Sequence, residues 1–198
     1  GLQPAGVAVA DFDDDGTLDL VATSRATHEL RIFPAAFRAG APAPRSYEAG
    51  LNLRSPVISD FNRDGFPDVA GVEGEGHVID LLLNDAHGGL LPAVRYACGR
   101  GPRQLVTADL NADNREDLIT VNEFAGTVTT WLVNADGTLR ERADFGVGER
   151  PVAVAASTRA HPARSHLLVA DPVGRRLAVA QNGGRLTPVA LLAFAAER

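Results

Sequence analysis

The chain has 198 residues, 45% of them hydrophobic, with a formal charge of −6. That length and apolar content support a buried core and exclude a disordered chain. The acidic balance argues against nonspecific nucleic-acid binding, and no apolar run is long enough for a membrane-spanning helix.

The first predicted element is the short apolar run Gly6–Ala10. The loop Asp11-Phe-Asp13-Asp-Asp15-Gly16-Thr17-Leu-Asp19 follows, and then a second run, Leu20-Val-Ala22. Both runs are short and partly β-branched, which predicts strand–loop–strand. Acidic residues at positions 1, 3, 5 and 9 of a tight loop suit a hard cation, and Ca²⁺ takes roughly 6–8 oxygen ligands in flexible geometry. The candidate ligands are Asp11, Asp13, Asp15 and Asp19, with the carbonyl of Thr17. Position 6 needs a positive φ, which Gly16 adopts without strain. Position 12, where an EF-hand has Glu, is Ala22 inside an apolar run. The loop is therefore EF-hand-like but lies between strands.

The pattern returns 49 residues later as Asp60-Phe-Asn62-Arg-Asp64-Gly65-Phe66-Pro-Asp68. Its candidate ligands are Asp60, Asn62, Asp64 and Asp68, with the carbonyl of Phe66. It returns again as Asp109-Leu-Asn111-Ala-Asp113-Asn114-Arg115-Glu-Asp117, another 49 residues on. There the ligands are Asp109, Asn111, Asp113 and Asp117, with the carbonyl of Arg115. Asn114 replaces the glycine, and Asn tolerates the left-handed region. The first loop alone has four ligand carboxylates plus Asp14, so it is expected to bind most tightly. In the third unit the strands are predicted at Gln104–Ala108, Asp117–Val121, Gly126–Leu132 and Leu139–Phe145. The acidic loop, Asn122–Ala125 and Asn134-Ala-Asp-Gly137 separate them. Trp131 shares a column with Phe33, Leu82 and Ala180 and reads as packing. Cys98 shares one with Ala49 and Val147 and reads as a small buried thiol; alone, it excludes an intrachain disulfide.

The fourth unit keeps the flanking runs Pro151–Ala155 and Leu167–Ala170. Thr158, Ala160, Pro162 and His166 occupy its ligand columns and Ala163 replaces the glycine, so no ion is expected. His161 and His166, with Arg159 and Arg164, form a weak candidate for a transition metal or an anion. Asn182-Gly183 signals a hairpin. Further columns keep the spacing: Gly1, Gly50, Gly99 and Gly148; Leu30, Ile79, Val128 and Leu177; Tyr47, Tyr96, Phe145 and Phe194. His28 and His77 share a column with Gly126 and Arg175. No helical period is sustained, and 20 Gly and 12 Pro punctuate the chain. A period of about 40–50 residues with four strands per unit predicts an all-β propeller. The blades are 1–49, 50–98, 99–147 and 148–198, in a single domain 1–198. Four such units suit a compact four-bladed ring. Half of a larger or dimeric ring, and a piece of a longer protein, are the alternatives. The absence of Met predicts a processed or excised product.

The motif apolar–Asp-Phe-Asp/Asn-x-Asp-Gly-x-x-Asp–apolar resembles the FG-GAP/VCBS repeat. That repeat builds the β-propeller of integrin α subunits and of many bacterial surface and secreted proteins. The resemblance implies Ca²⁺ in the loop joining the first two strands of a blade, hence about three ions here and none in the fourth blade. It says little about the ligand, and integrin-type propellers have seven blades.

The function expected is a noncatalytic, calcium-stabilised binding or adhesion module, secreted or at the cell surface, whose partner is a glycan or a protein. A homodimer is the further partner if the four blades are half a ring. No nucleophile elbow, phosphate-cradling loop or zinc cluster is present in the sequence. The alternative is an accessory propeller of a secreted polysaccharide-active enzyme, or that enzyme itself. Arg54, Arg100, Arg103 and Arg150 fall in the links between blades. Guanidinium groups there are candidates for an anionic sugar or a partner's carboxylate.

Overall fold

The computed structural model describes residues 3–157, 166–182 and 186–193. The first blade consists of β1 (Pro4–Ala10), β2 (Asp19–Ser24), β3 (Glu29–Phe33) and β4 (Arg45–Glu48). The second consists of β5 (Leu53–Ser59), β6 (Asp68–Glu73), β7 (Val78–Leu82) and β8 (Val94–Ala97). The third holds β9 (Pro102–Ala108), β10 (Asp117–Asn122), β11 (Thr127–Val133) and β12 (Leu139–Gly146). The fourth holds β13 (Ala153–Ser157), β14 (His166–Asp171), β15 (Arg176–Asn182) and β16 (Leu186–Ala193). Each blade is one four-stranded antiparallel meander, with strands paired in chain order. This is the all-β propeller repeat that the 49-residue period predicts. Among the described residues no helix is long and apolar enough to cross a membrane.

The chain forms two compact units. One comprises Gly1–Ala97 with Asn134–Thr138, the other Cys98–Val133 with Leu139–Arg198. In the first, Val21, Leu30 and Ile32 of blade 1 pack with Leu53, Val69 and Leu82 of blade 2, and Phe12 joins them. In the second, Ile119, Val121 and Val128 of blade 3 pack with Val154, Leu167 and Val169 of blade 4. Strand side chains alternate between faces, so a blade needs two different apolar sets to be sandwiched.

The glycine column has a steric cause. Each link glycine lies over a polar side chain at the end of the second strand. A β-carbon on Gly50 would lie 2.5 Å from Glu73 Oε2 and 2.7 Å from Asp80 Oδ2. On Gly99 it would meet the side chain of Asn122 at 2.5 Å, and on Gly148 it would strike the carboxylate of Asp171. Asp171 itself is buried. It accepts the N–H groups of Glu149 (2.8 Å), Gly174 (2.9 Å) and Arg150 (3.3 Å). Burial works to raise its pKa, but these donors outweigh it and hold the carboxyl below its ordinary value.

A second column is also explained. His77, Gly126 and Arg175 sit at φ of 56°, 68° and 50°. They are the left-handed residues that close the turn between second and third strands. Gly126 therefore ends the turn, and the third strand starts at Thr127 instead. Cys98 is buried, and burial pushes its thiol up to about 12. Trp131 is half-buried. Gly1, Thr158, Arg159, Ala160, His161, Pro162, Ala163, Arg164, Gly183 and Phe194 lie outside the described residues.

Candidate functional site

The three acidic loops share one hydrogen-bonding plan. The position-1 carboxylate folds back over the loop. Asp11 accepts the N–H groups of Asp15 (3.1 Å) and Gly16 (2.8 Å), and Asp60 those of Asp64 (3.1 Å) and Gly65 (2.9 Å). Asp109 accepts from Ala112 (2.7 Å) and Asn114 (2.8 Å). The position-5 carboxylate accepts the N–H of position 7: Asp15 from Thr17 (2.7 Å), Asp64 from Phe66 (2.9 Å), Asp113 from Arg115 (2.8 Å). Gly16, Gly65 and Asn114 have φ of 79°, 94° and 62°, as position 6 requires. Position 4 is left-handed too, at Asp14 (57°), Arg63 (60°) and Ala112 (64°), which no glycine had signalled.

Position 3 distinguishes the loops. Asn62 Nδ2 donates to Asp64 Oδ2 at 2.9 Å, and Asn111 Nδ2 donates to Asp113 Oδ2 at 2.9 Å. Asp13 has no such donor. Carboxylate oxygens of Asp11, Asp13 and Asp15 lie within 4.8 Å of one another. Desolvation, and then the charges of Asp19, Asp15 and Asp11, push the Asp13 carboxyl above its ordinary value of 3.8. Three converging hard oxygen donors whose charges repel fit a divalent cation of the Ca²⁺ type.

The position-9 carboxylate does more than the sequence suggests. Asp19, Asp68 and Asp117 are 2%, 0% and 0% exposed. Through Oδ2 they accept the N–H of Phe12 (3.0 Å), Phe61 (2.8 Å) and Leu110 (2.8 Å), early in their own loops. Through Oδ1 they accept Ala35 (2.7 Å), Asn84 (2.7 Å) and Val133 (2.9 Å), at or beyond the end of the third strand. Each ties its loop to the chain at the end of the third strand. Burial raises Asp68 and Asp117 to about 6 despite these donors.

Within the first unit, each acidic loop also touches the next connection between third and fourth strands. Asn84 Nδ2 donates to Phe12 O at 3.0 Å and Arg45 Nη1 to Gly88 O at 2.9 Å. A β-carbon on Gly88 would lie 2.6 Å from that of Asp13, and one on Gly137 would lie 3.2 Å from that of Asn62.

The four candidate arginines divide between the units. In the second, Arg103 Nη1 reaches Glu123 Oε2 at 2.7 Å, and Arg150 Nη2 pairs with the other oxygen. Arg150 lies 5.5 Å over the Phe124 ring, whose residue is 55% exposed. Arg100 is exposed, and its carbonyl accepts the N–H of Phe124 at 3.2 Å. Link and turn thus share one side of the blade. Arg54, in the first unit, is half-buried with its guanidinium against Gly74.

Residues 60–120, one acidic loop with its flanking strands and the next loop, match the model of the FG-GAP-like repeat. This stretch of the chain is similar to an FG-GAP-like repeat. No curated protein matches it. Among solved structures, BBS1N in complex with ARL6DN is 16% identical with a TM-score of 0.67, covering 100% of this chain and 58% of that one. A Bacteroides uniformis protein provisionally assigned as a 6-phosphogluconolactonase is 15% identical, TM-score 0.69, with coverage of 96% and 55%. An Agrocybe aegerita lectin recognising non-reducing terminal N-acetylglucosamine is 16% identical, TM-score 0.65, with coverage of 97% and 53%. The chain thus spans 53–58% of the length of these structures. At such identities the likeness is one of fold.

Proposed function

We propose that this chain is a noncatalytic, calcium-stabilised binding module of secreted or cell-surface location. One observation carries the reading: three acidic loops repeat one backbone plan beside a buried carboxylate staple, and in the first of them the carboxylates of Asp11, Asp13 and Asp15 converge. Asp11, Asp13, Asp15 and Asp19 would hold the first ion with the Thr17 carbonyl. The matching residues of loops two and three would hold the second and third. A bound cation supplies positive charge where the folded loop concentrates negative charge, so it binds the folded state preferentially and stabilises it. Sites of modest affinity fill at extracellular calcium levels, which supports the location.

The fold and the arginines of the blade links support a ligand class. Propellers present loops on rigid meanders, and the neighbours of this fold include a glycan-binding lectin and a protein complex. A glycan or a protein is the partner, with Arg100, Arg103 and Arg150 as candidates for contact with an anionic group. A glycan array and a pull-down, each run in Ca²⁺ and in EDTA, test the module reading. Binding that requires Ca²⁺ supports it. Turnover of a polysaccharide by the purified chain would replace it with the enzyme reading.

A further inference from the structure

The first unit holds a groove of about 700 Å³ whose lining includes neither the acidic loops nor the link arginines. One wall is Ser46, Tyr47 and Glu48 of β4, and the other is residues 90–95, which run into β8. β4 and β8 are the edge strands of adjacent blades, each paired on one side only. The groove is built on the core. Leu90 is buried in the cluster that blades 1 and 2 share, and Tyr47 and Ala93 pack against it. Arg45 Nη1 donates to Gly88 O at 2.9 Å and so ties β4 to the connection that carries the other wall. The volume is that of a small-ligand site, roughly 300–1,000 Å³.

The lining has two characters. Leu91 is 47% exposed and Val94 51%, which puts apolar surface beside Tyr47 and Pro92. The polar side chains are Ser46, Glu48 and Arg95. Glu48 lies opposite Glu29 in the strand register, and Glu29 is paired with Arg31 at 2.8 Å, so Glu48 faces no cation across the sheet. Arg95 is anchored through Nε, which donates to Oδ1 of the buried Asp80 at 3.3 Å, while its side chain stays 51% exposed. That bond uses only one of the guanidinium N–H donors. The groove therefore offers an acceptor carboxylate and a donor fork, of opposite charge, beside an apolar surface.

That combination selects among occupants. An added β-strand finds few ladder partners, because each edge strand is four residues long and Pro92 has no N–H. An anion gains little from a lining whose two charges cancel. A sugar ring has an apolar C–H face and adjacent hydroxyls, each both donor and acceptor. A carboxylate accepts from two neighbouring hydroxyls, and a guanidinium donates to two neighbouring oxygens. We propose that this groove binds an uncharged saccharide with vicinal hydroxyls. Glu48 and Arg95 are its polar contacts, and Tyr47, Leu91 and Val94 meet its apolar face. The site is separate from the arginines of the second unit, and it rests on the glycan branch of the binding-module reading.

Heteronuclear NMR titration of the 198-residue chain in Ca²⁺ tests it, with cellotriose, mannotriose and chitotriose as neutral probes and trigalacturonate as the anionic control. A neutral probe should shift the amide signals of residues 46–48 and 90–95. Glu48→Ala, at an exposed position, and Arg95→Lys, which keeps a cation for Asp80, should each weaken binding about tenfold or more. Their circular dichroism spectra should match the parent's, and Arg103→Ala should leave the affinity unchanged. Neutral-probe binding that depends on Arg103 and ignores Glu48 and Arg95 overturns the groove and leaves the module reading standing. A preference for trigalacturonate overturns it, as does a groove whose signals shift on dilution because a second copy covers it. Silence with all four probes overturns it too, whereas the module reading falls only if the glycan array and the pull-down are also blank.

Discussion

Asp68 and Asp117 carry opposing demands on a single carboxylate. Each is buried and raised to about 6, yet each accepts backbone N–H groups from its own loop and from the end of the third strand. Asp68→Ala should cost about 2–4 kcal/mol in urea unfolding, since it strands two buried donors. Asp68→Asn keeps one acceptor and should cost less. The raised pKa sets the pH dependence without metal. The folded state binds these protons more tightly than the unfolded state, whose carboxylates titrate near 3.8. In EDTA, the contribution of the two groups to stability is fully present below pH about 4 and is lost as pH rises through 6. Urea midpoints against pH should show that fall, flattened by Asp68→Asn and by added Ca²⁺. The staple was not legible in the sequence, because an Asp at position 9 reads only as a ligand until the strand beyond is placed. Cys98 was legible from its small apolar column. Its thiol, pushed to about 12, should resist alkylation at pH 8 in the folded protein and react on unfolding.

At the scale of the element, periodicity told most of the story. The four strands of blade 3 fall within a residue or two of where alternation and turn signals predict them. The glycine spacing was visible, but its cause was not, because Glu73, Asn122 and Asp171 lie over 20 residues away in sequence. Gly148→Ala should therefore destabilise the second unit by about 1–3 kcal/mol, with calcium binding unchanged. Gly88→Ala should act differently. Its φ of 75° and its approach to Asp13 place strain directly under the first loop. It should weaken the calcium dependence of melting as well as stability, whereas Gly148→Ala leaves that dependence intact. Scanning calorimetry of both variants with and without Ca²⁺ separates them.

The whole molecule has a formal charge of −6, which three divalent cations would neutralise. Much of that charge is in loops whose carboxylates repel one another when folded, so metal and fold are coupled. The arginines were legible as a group but not in their pairing. Glu123, one residue in a turn, gathers Arg103 and Arg150 in the second unit, while Arg54 belongs to the first. The account stands on the acidic loops acting as calcium sites. Calorimetric titration of the chelator-stripped protein with Ca²⁺ tests that most directly. About three ions per chain are predicted, falling by one for each of Asp11→Ala, Asp60→Ala and Asp109→Ala. A titration without saturable binding, or a stoichiometry that these substitutions leave untouched, would contradict it.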